Sequence, residues 1–145
     1  MKRLCMRLTG LALALLFAIN CSGYALATSS DMPRASPTLN SYSAILKAGT
    51  TSGTVRISYD VIANKTASSV GISSIVIYKS NGDYVNTITG SERNGLIATM
   101  SVSHSSSYSY SGTSGTSYYA KVTVFATIDG VTDSRTITTN TVKAP

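Results

Sequence analysis

The chain has one histidine, His104, together with many serines and six acidic residues. A serine hydrolase needs a serine within hydrogen-bond reach of an imidazole and an acid behind that ring. Composition permits such a set. No serine, however, lies in the glycine-flanked strand-to-helix turn that presents a nucleophile. His104 falls in the apolar phase near the end of a strand-like segment, where a histidine at a sheet rim bonds locally. The acids are Asp31, Asp60, Asp83, Glu92, Asp129 and Asp133. Glycoside hydrolysis needs two carboxylates facing each other across a cleft, and these six lie on separate segments with no pairing spacing. Zinc needs three or four His, Cys or acidic ligands. Asp129-Gly130 with Asp133 approaches a calcium loop, yet two acids around Asp-Gly are ordinary hairpin chemistry. Ser111-Gly112-Thr113-Ser114-Gly115 lacks the lysine and the strand-to-helix setting of a phosphate loop. We expect no catalytic residue, no metal site and no cofactor.

Binding chemistry is better represented. Tyr119 and Phe125 fall on the polar phase of a strand, and Tyr108 and Tyr110 lie in a serine-rich connection. Aromatic faces stack on sugars or anchor a protein partner. The competing role is cross-strand pairing, which stabilises a sheet by about 0.2–1 kcal/mol per pair. These four tyrosine and phenylalanine side chains are the candidate ligand contacts. The basic residues are scattered, so the clustered patch that nucleic acid requires is absent. Asn64-Lys65-Thr66 fits a glycosylation acceptor and also a turn.

The elements that must position these residues are strands. Residues 42–47, 54–63, 72–79, 84–89, 96–104, 118–128 and 132–141 are rich in Val, Ile, Thr and Tyr, with turn signals between them. In the second, Val55, Ile57, Tyr59 and Val61 alternate with Arg56, Ser58 and Asp60, so one face meets a core and the other water. Asn81-Gly82 predicts a type I′ hairpin joining the third and fourth, and Asp129-Gly130 turns the sixth into the seventh. The tight turns imply antiparallel pairing. Seven short, regularly spaced strands predict an all-β antiparallel sandwich.

The chain opens Met1-Lys2-Arg3 and continues through an apolar run over residues 11–19 to Ala25-Leu26-Ala27. A basic start, a short apolar middle and an Ala-x-Ala end are the parts of a secretory signal peptide. The run is shorter than the ~20 residues a membrane span needs. Lipoprotein processing at Cys21 would require a small residue before it, and Asn20 is a poor fit. We expect residues 1–27 to be a signal peptide, 28–38 a flexible linker and 39–145 the folded domain, with no transmembrane segment in the mature chain. Cys5 and Cys21 leave with the leader, so the domain must hold together without disulfides. Nine basic residues against six acidic ones then remain, for a net charge of +3.

Three stretches resemble immunoglobulin-like domains of the fibronectin type III kind: Val55-Arg56-Ile57-Ser58-Tyr59, with Tyr59 where that family usually has Trp; Ile75-Val76-Ile77-Tyr78-Lys79; and the glycine-then-tyrosine lead from Gly115 through Tyr118-Tyr119 to Val124. The resemblance implies a seven-stranded immunoglobulin/fibronectin-III-like sandwich. Leu39-Asn40-Ser41-Tyr42, the run from Tyr118 to Ala126, and Asp133-Ser134-Arg135 also resemble an uncharacterised family of small secreted proteins from Gram-positive bacteria. That resemblance implies export and fold and assigns no site residue. We therefore expect a secreted, non-catalytic binding or surface-interaction module, with a cell-wall glycan or another surface protein as partner. Two alternatives stand beside it: a small secreted hydrolase using His104, and a self-associating structural protein whose segment 39–47 pairs with a neighbour.

Overall fold

The computed structural model describes residues 36–145; the expected leader and most of the expected linker lie outside the described residues. The described chain is all-β and antiparallel. Its strands are β1 (Leu39–Ala48), β2 (Thr54–Lys79), β3 (Tyr84–Thr89), β4 (Ile97–Ser111), β5 (Ser117–Ile128), β6 (Val131–Thr138) and β7 (Val142–Lys143). All seven belong to one hydrogen-bonded sheet.

The sheet is organised by β2, which runs for 26 residues. Two strands expected from the sequence, 54–63 and 72–79, are its two halves. The first half lies between β1 and β4; the second lies between β3 and β5. The expected break at Asn64-Lys65-Thr66 is a bend within the strand, marked by a register shift against β4 between Ile62 and Ala67. All three bend residues are exposed, while Ala63 and Ala67 on either side are buried. The bend folds the sheet on itself into a curled half-barrel, so the two halves of β2 face one core. That core takes Val55, Ile57, Tyr59 and Val61 from the first half. It takes Val70, Ile72, Ile75 and Ile77 from the second, with Val122 and Val124 from β5. Full burial of each aliphatic side chain contributes about 1.5–3 kcal/mol, which accounts for a domain held by packing.

Close approach of β2 to the Leu96 backbone, beyond the bend, requires Gly71. It has φ +146°, and a Cβ there would lie 2.2 Å from the Leu96 carbonyl oxygen. Phe125 is its cross-strand partner on β5. On β4 the matching irregularity is Met100, with φ +50° and an exposed side chain. Such a backbone is costly for residues other than Gly, Asn and Asp.

The curl closes on one side through β1. The Asn140 side chain accepts from Leu46 N–H at 3.0 Å and donates to Leu46 C=O at 3.0 Å. An amide side chain thus replaces one rung of a strand. Thr38, buried, donates to the Ala126 carbonyl at 2.9 Å. Part of the expected linker, from Ser36 to Thr38, is therefore tied to the domain. On the other side β4 pairs with β2 alone among the described residues.

Turn chemistry departs from expectation in one place. At Asn81-Gly82 only Gly82 has positive φ (93°). Lys79 N–H donates to Asp83 C=O, and Gly82 N–H donates to Lys79 C=O. This is a three-residue loop ending in a left-handed glycine, in place of type I′. Asp129-Gly130 has the two positive φ values, 51° and 78°, of a two-residue turn between paired Ile128 and Val131.

Candidate functional site

At the β1–β2 hairpin, on the outer face of the sheet, lies an open depression of about 270 Å³, lined by Lys47, Gly49, Thr50, Thr51, Thr54, Arg56 and Ser109. Its two cations are brought together by register. Lys47 on β1 is the cross-strand partner of Arg56 on β2, and Ser109 on β4 continues the row. Cross-strand partners share a face, so two positive side chains stand side by side. Like charges placed directly opposite destabilise a sheet. Among the described residues neither cation forms an ion pair: the two bridges are Lys65–Asp129 at 2.6 Å and Arg135–Asp133 at 2.5 Å. Arg56 Nε donates to Ser107 Oγ at 2.8 Å, one row over from Ser109, which holds the guanidinium diagonally across to β4.

The rest of the depression is hydroxyl and backbone. Thr54 Oγ1 donates to Thr51 C=O at 2.6 Å, and Gly49 N–H donates to Thr54 C=O at 2.9 Å. These bonds fix the hairpin loop. A Cβ on Gly49 would lie 1.9 Å from Thr54 Oγ1, so the threonine packs directly on the bare glycine. Two cations and several hydroxyl donors around a small open cavity suit one anionic oxygen group. The size lies just below the usual range for drug-like ligands.

The expected site residues are placed separately. Tyr108 and Tyr110 are corrected from a connection to β4: the strand runs on to Ser111, and both rings are half-buried against the core. Tyr110 meets Tyr118 edge-on at 6.0 Å between centroids. Tyr119 and Phe125 do lie on the outer face of β5. Tyr119 stacks on Tyr78 at 5.2 Å with planes 13° apart, and Tyr84 meets Tyr78 edge-on at 6.2 Å. The stacked faces of Tyr78 and Tyr119 are turned toward each other, the geometry of cross-strand pairing. Phe125 is six residues further along β5, about 20 Å away at strand rise. The four do not form one surface.

His104 has partners that fix its role. Its Nε2 lies 2.8 Å from the Gly95 carbonyl and 3.1 Å from Tyr59 Oη, and Tyr59 donates to the same carbonyl at 2.9 Å. An Nε2–H tautomer serves the carbonyl. Burial raises the Tyr59 pKa, keeping the phenol a neutral donor. The nearby Ser105–Asp60 hydrogen bond is on the other face of β4. Asp129 and Asp133, the two acids of the Asp-Gly hairpin, have separate cationic partners, Lys65 and Arg135.

The Lys47–Arg56 pair was not anticipated. Its signal was present in the hairpin arithmetic: a turn closed by Gly49 opposite Thr54 sets Ala48 opposite Val55 and 47 opposite 56. No family model, no curated protein and no solved structure matches the chain.

Proposed function

We propose that this protein is an exported, non-catalytic binding module that holds an anionic group of a surface glycan, a phosphate, sulfate or carboxylate, between Lys47 and Arg56. The observation that carries it is the unneutralised like-charge pair on one row of the sheet, beside hydroxyl donors. A bound anion would turn the repulsion between the two cations into two charge-assisted hydrogen bonds. The basic leader, apolar run and Ala-x-Ala end support export, which places such a module among anionic wall polymers. An immunoglobulin-like sandwich is the finer description of the fold that we favour, because the bend in β2 divides the sheet into two layers over a shared core. The hydrolase alternative has less support, since His104 is engaged by a phenol and a carbonyl, and among the described residues no serine hydroxyl or carboxylate hydrogen-bonds to it.

The test is retention on immobilised dextran sulfate against uncharged dextran, for the unaltered protein and for Lys47→Gln and Arg56→Gln. The expected result is salt-sensitive retention on the sulfated matrix that each variant loses, while Lys121→Gln retains it. Equal retention of all four proteins, or none by the unaltered protein, would refute the proposal.

A further inference from the structure

The outer edge of β4 is the longest open edge in the described fold, and its chemistry is self-complementary. Strand polarity follows from Asn140. Because Leu46 gives its N–H and C=O to that side chain, it turns them away from β2. Its partner Ile57 therefore turns its own toward Tyr108 of β4. Alternation then points the N–H and C=O of Ser105, Ser107 and Ser109 outward, and β4 has no strand partner there. Ser103 ends this stretch. Its N–H donates to Ser101 Oγ at 3.3 Å, and its C=O accepts from the same hydroxyl at 2.7 Å.

Natural edges are guarded by charge, proline, bulges or cover. β4 contains no Asp, Glu, Lys, Arg or Pro. Its irregularity is at Met100, which protects only the N-terminal part of the edge. From Ser105 to Ser109 the edge is unguarded. We infer that this stretch pairs with the same stretch of a second copy of the chain, antiparallel about a twofold axis at Ser107. Three residue pairs then form: Ser107 with its own counterpart, and Ser105 with Ser109 twice. Each pair exchanges two backbone hydrogen bonds, so six outward groups on each copy are satisfied.

The flanking charges bias the register at low ionic strength, acting across three strand spacings, about 14 Å. Arg56 lies beside Ser109 and Asp60 beside Ser105, on the adjacent strand. With the axis at Ser107, each row of side chains runs from Arg56 of one copy through two serines to Asp60 of the other. Moving the axis to Ser109 aligns Arg56 with Arg56; moving it to Ser105 aligns Asp60 with Asp60. The inner face gains contacts as well. Tyr108 and Tyr110, half-buried on the outermost strand, come beside Ser106 and His104 of the second copy. The small interface places this dimer in the transient class.

Sedimentation velocity of the full protein over a concentration series tests the pairing, with fold monitored by circular dichroism. A reversible dimer is expected. Ser107→Pro removes the central N–H of each copy at an edge position where proline is tolerated, and roughly a tenfold weaker dimer is expected from two lost hydrogen bonds. At low ionic strength, where charges about 14 Å apart still interact, Asp60→Arg should weaken the dimer, and the double variant Arg56→Asp with Asp60→Arg should restore it, which keeps the proposal testable if Ser107→Pro does not fold. A monomer at every concentration would overturn it. So would a dimer indifferent to Ser107→Pro and to the charge exchange, since that dimer would use another surface.

Discussion

Replacing Lys47 by Glu separates a binding site from a structural pair, because the two roles predict opposite signs. Lys47 and Arg56 are both exposed and directly opposed across β1 and β2. An opposed ion pair contributes about 0.2–1 kcal/mol, and a like pair costs a comparable amount. Charge reversal removes the cost and adds the gain, so the unliganded domain should become more stable by about 1 kcal/mol. For a domain of this size the unfolding entropy makes that about 4 °C in Tm. The pair is solvent-exposed, so the gain should shrink strongly at about 1 M salt, where the Debye length is about 3 Å. Thermal unfolding followed by circular dichroism at low and high salt measures both quantities. The same variant should lose retention on dextran sulfate. Stability gained while binding is lost marks residues held in place for function. An unchanged or lower Tm at low salt would refute the reasoning, because it would mean that Lys47 already has a stabilising partner.

Three further outcomes follow from the fold. Gly71→Ala should destabilise the domain by about 3 kcal/mol or more in urea titrations, since a Cβ would press on the Leu96 carbonyl and the backbone is left-handed. Met100→Gly should stabilise it by about 0.5–1 kcal/mol in the same assay: φ is +50° and the exposed side chain buries little. The Asp133 carboxyl is held below its ordinary pKa, first by the Ser36 hydroxyl and then by the Ser134 amide and the Arg135 guanidinium, against partial burial. A depressed folded pKa contributes stability above the unfolded value, about 3.9. That stability is lost as pH falls through the folded value, so Asp133→Asn should flatten the decline in urea midpoint below about pH 4.

Much of the fold was legible because period-two alternation is a local signal. It gave β1, β3, β5 and the phase of Val55 to Val61, and Asp129-Gly130 gave the last long hairpin. The continuity of β2 was not legible. Asn64-Lys65-Thr66 is a polar run that reads as a turn, and long-range contacts keep it extended: Asn64 N–H donates to Thr38 C=O, Lys65 pairs with Asp129, and the residues that follow pair with β4 and β5. The serine-rich segment 105–111 was read as a connection because serine carries little strand preference; pairing with β2 overrides that. The same cause misplaced Tyr108 and Tyr110. At β1 the sequence suggested an edge free to pair, whereas the Asn140 side chain, 94 residues away in the chain, occupies it at Leu46. Lys47 and Arg56 looked like two of several scattered cations, since register rather than sequence distance makes them neighbours.

The most direct test of the account is an amide and side-chain NMR titration with inorganic sulfate at low ionic strength. Saturable shifts confined to Lys47, residues 49–54, Arg56 and Ser109 are predicted. Shifts spread equally over Lys65, Lys79 and Lys121, or no saturable shift at Lys47 and Arg56, would contradict it.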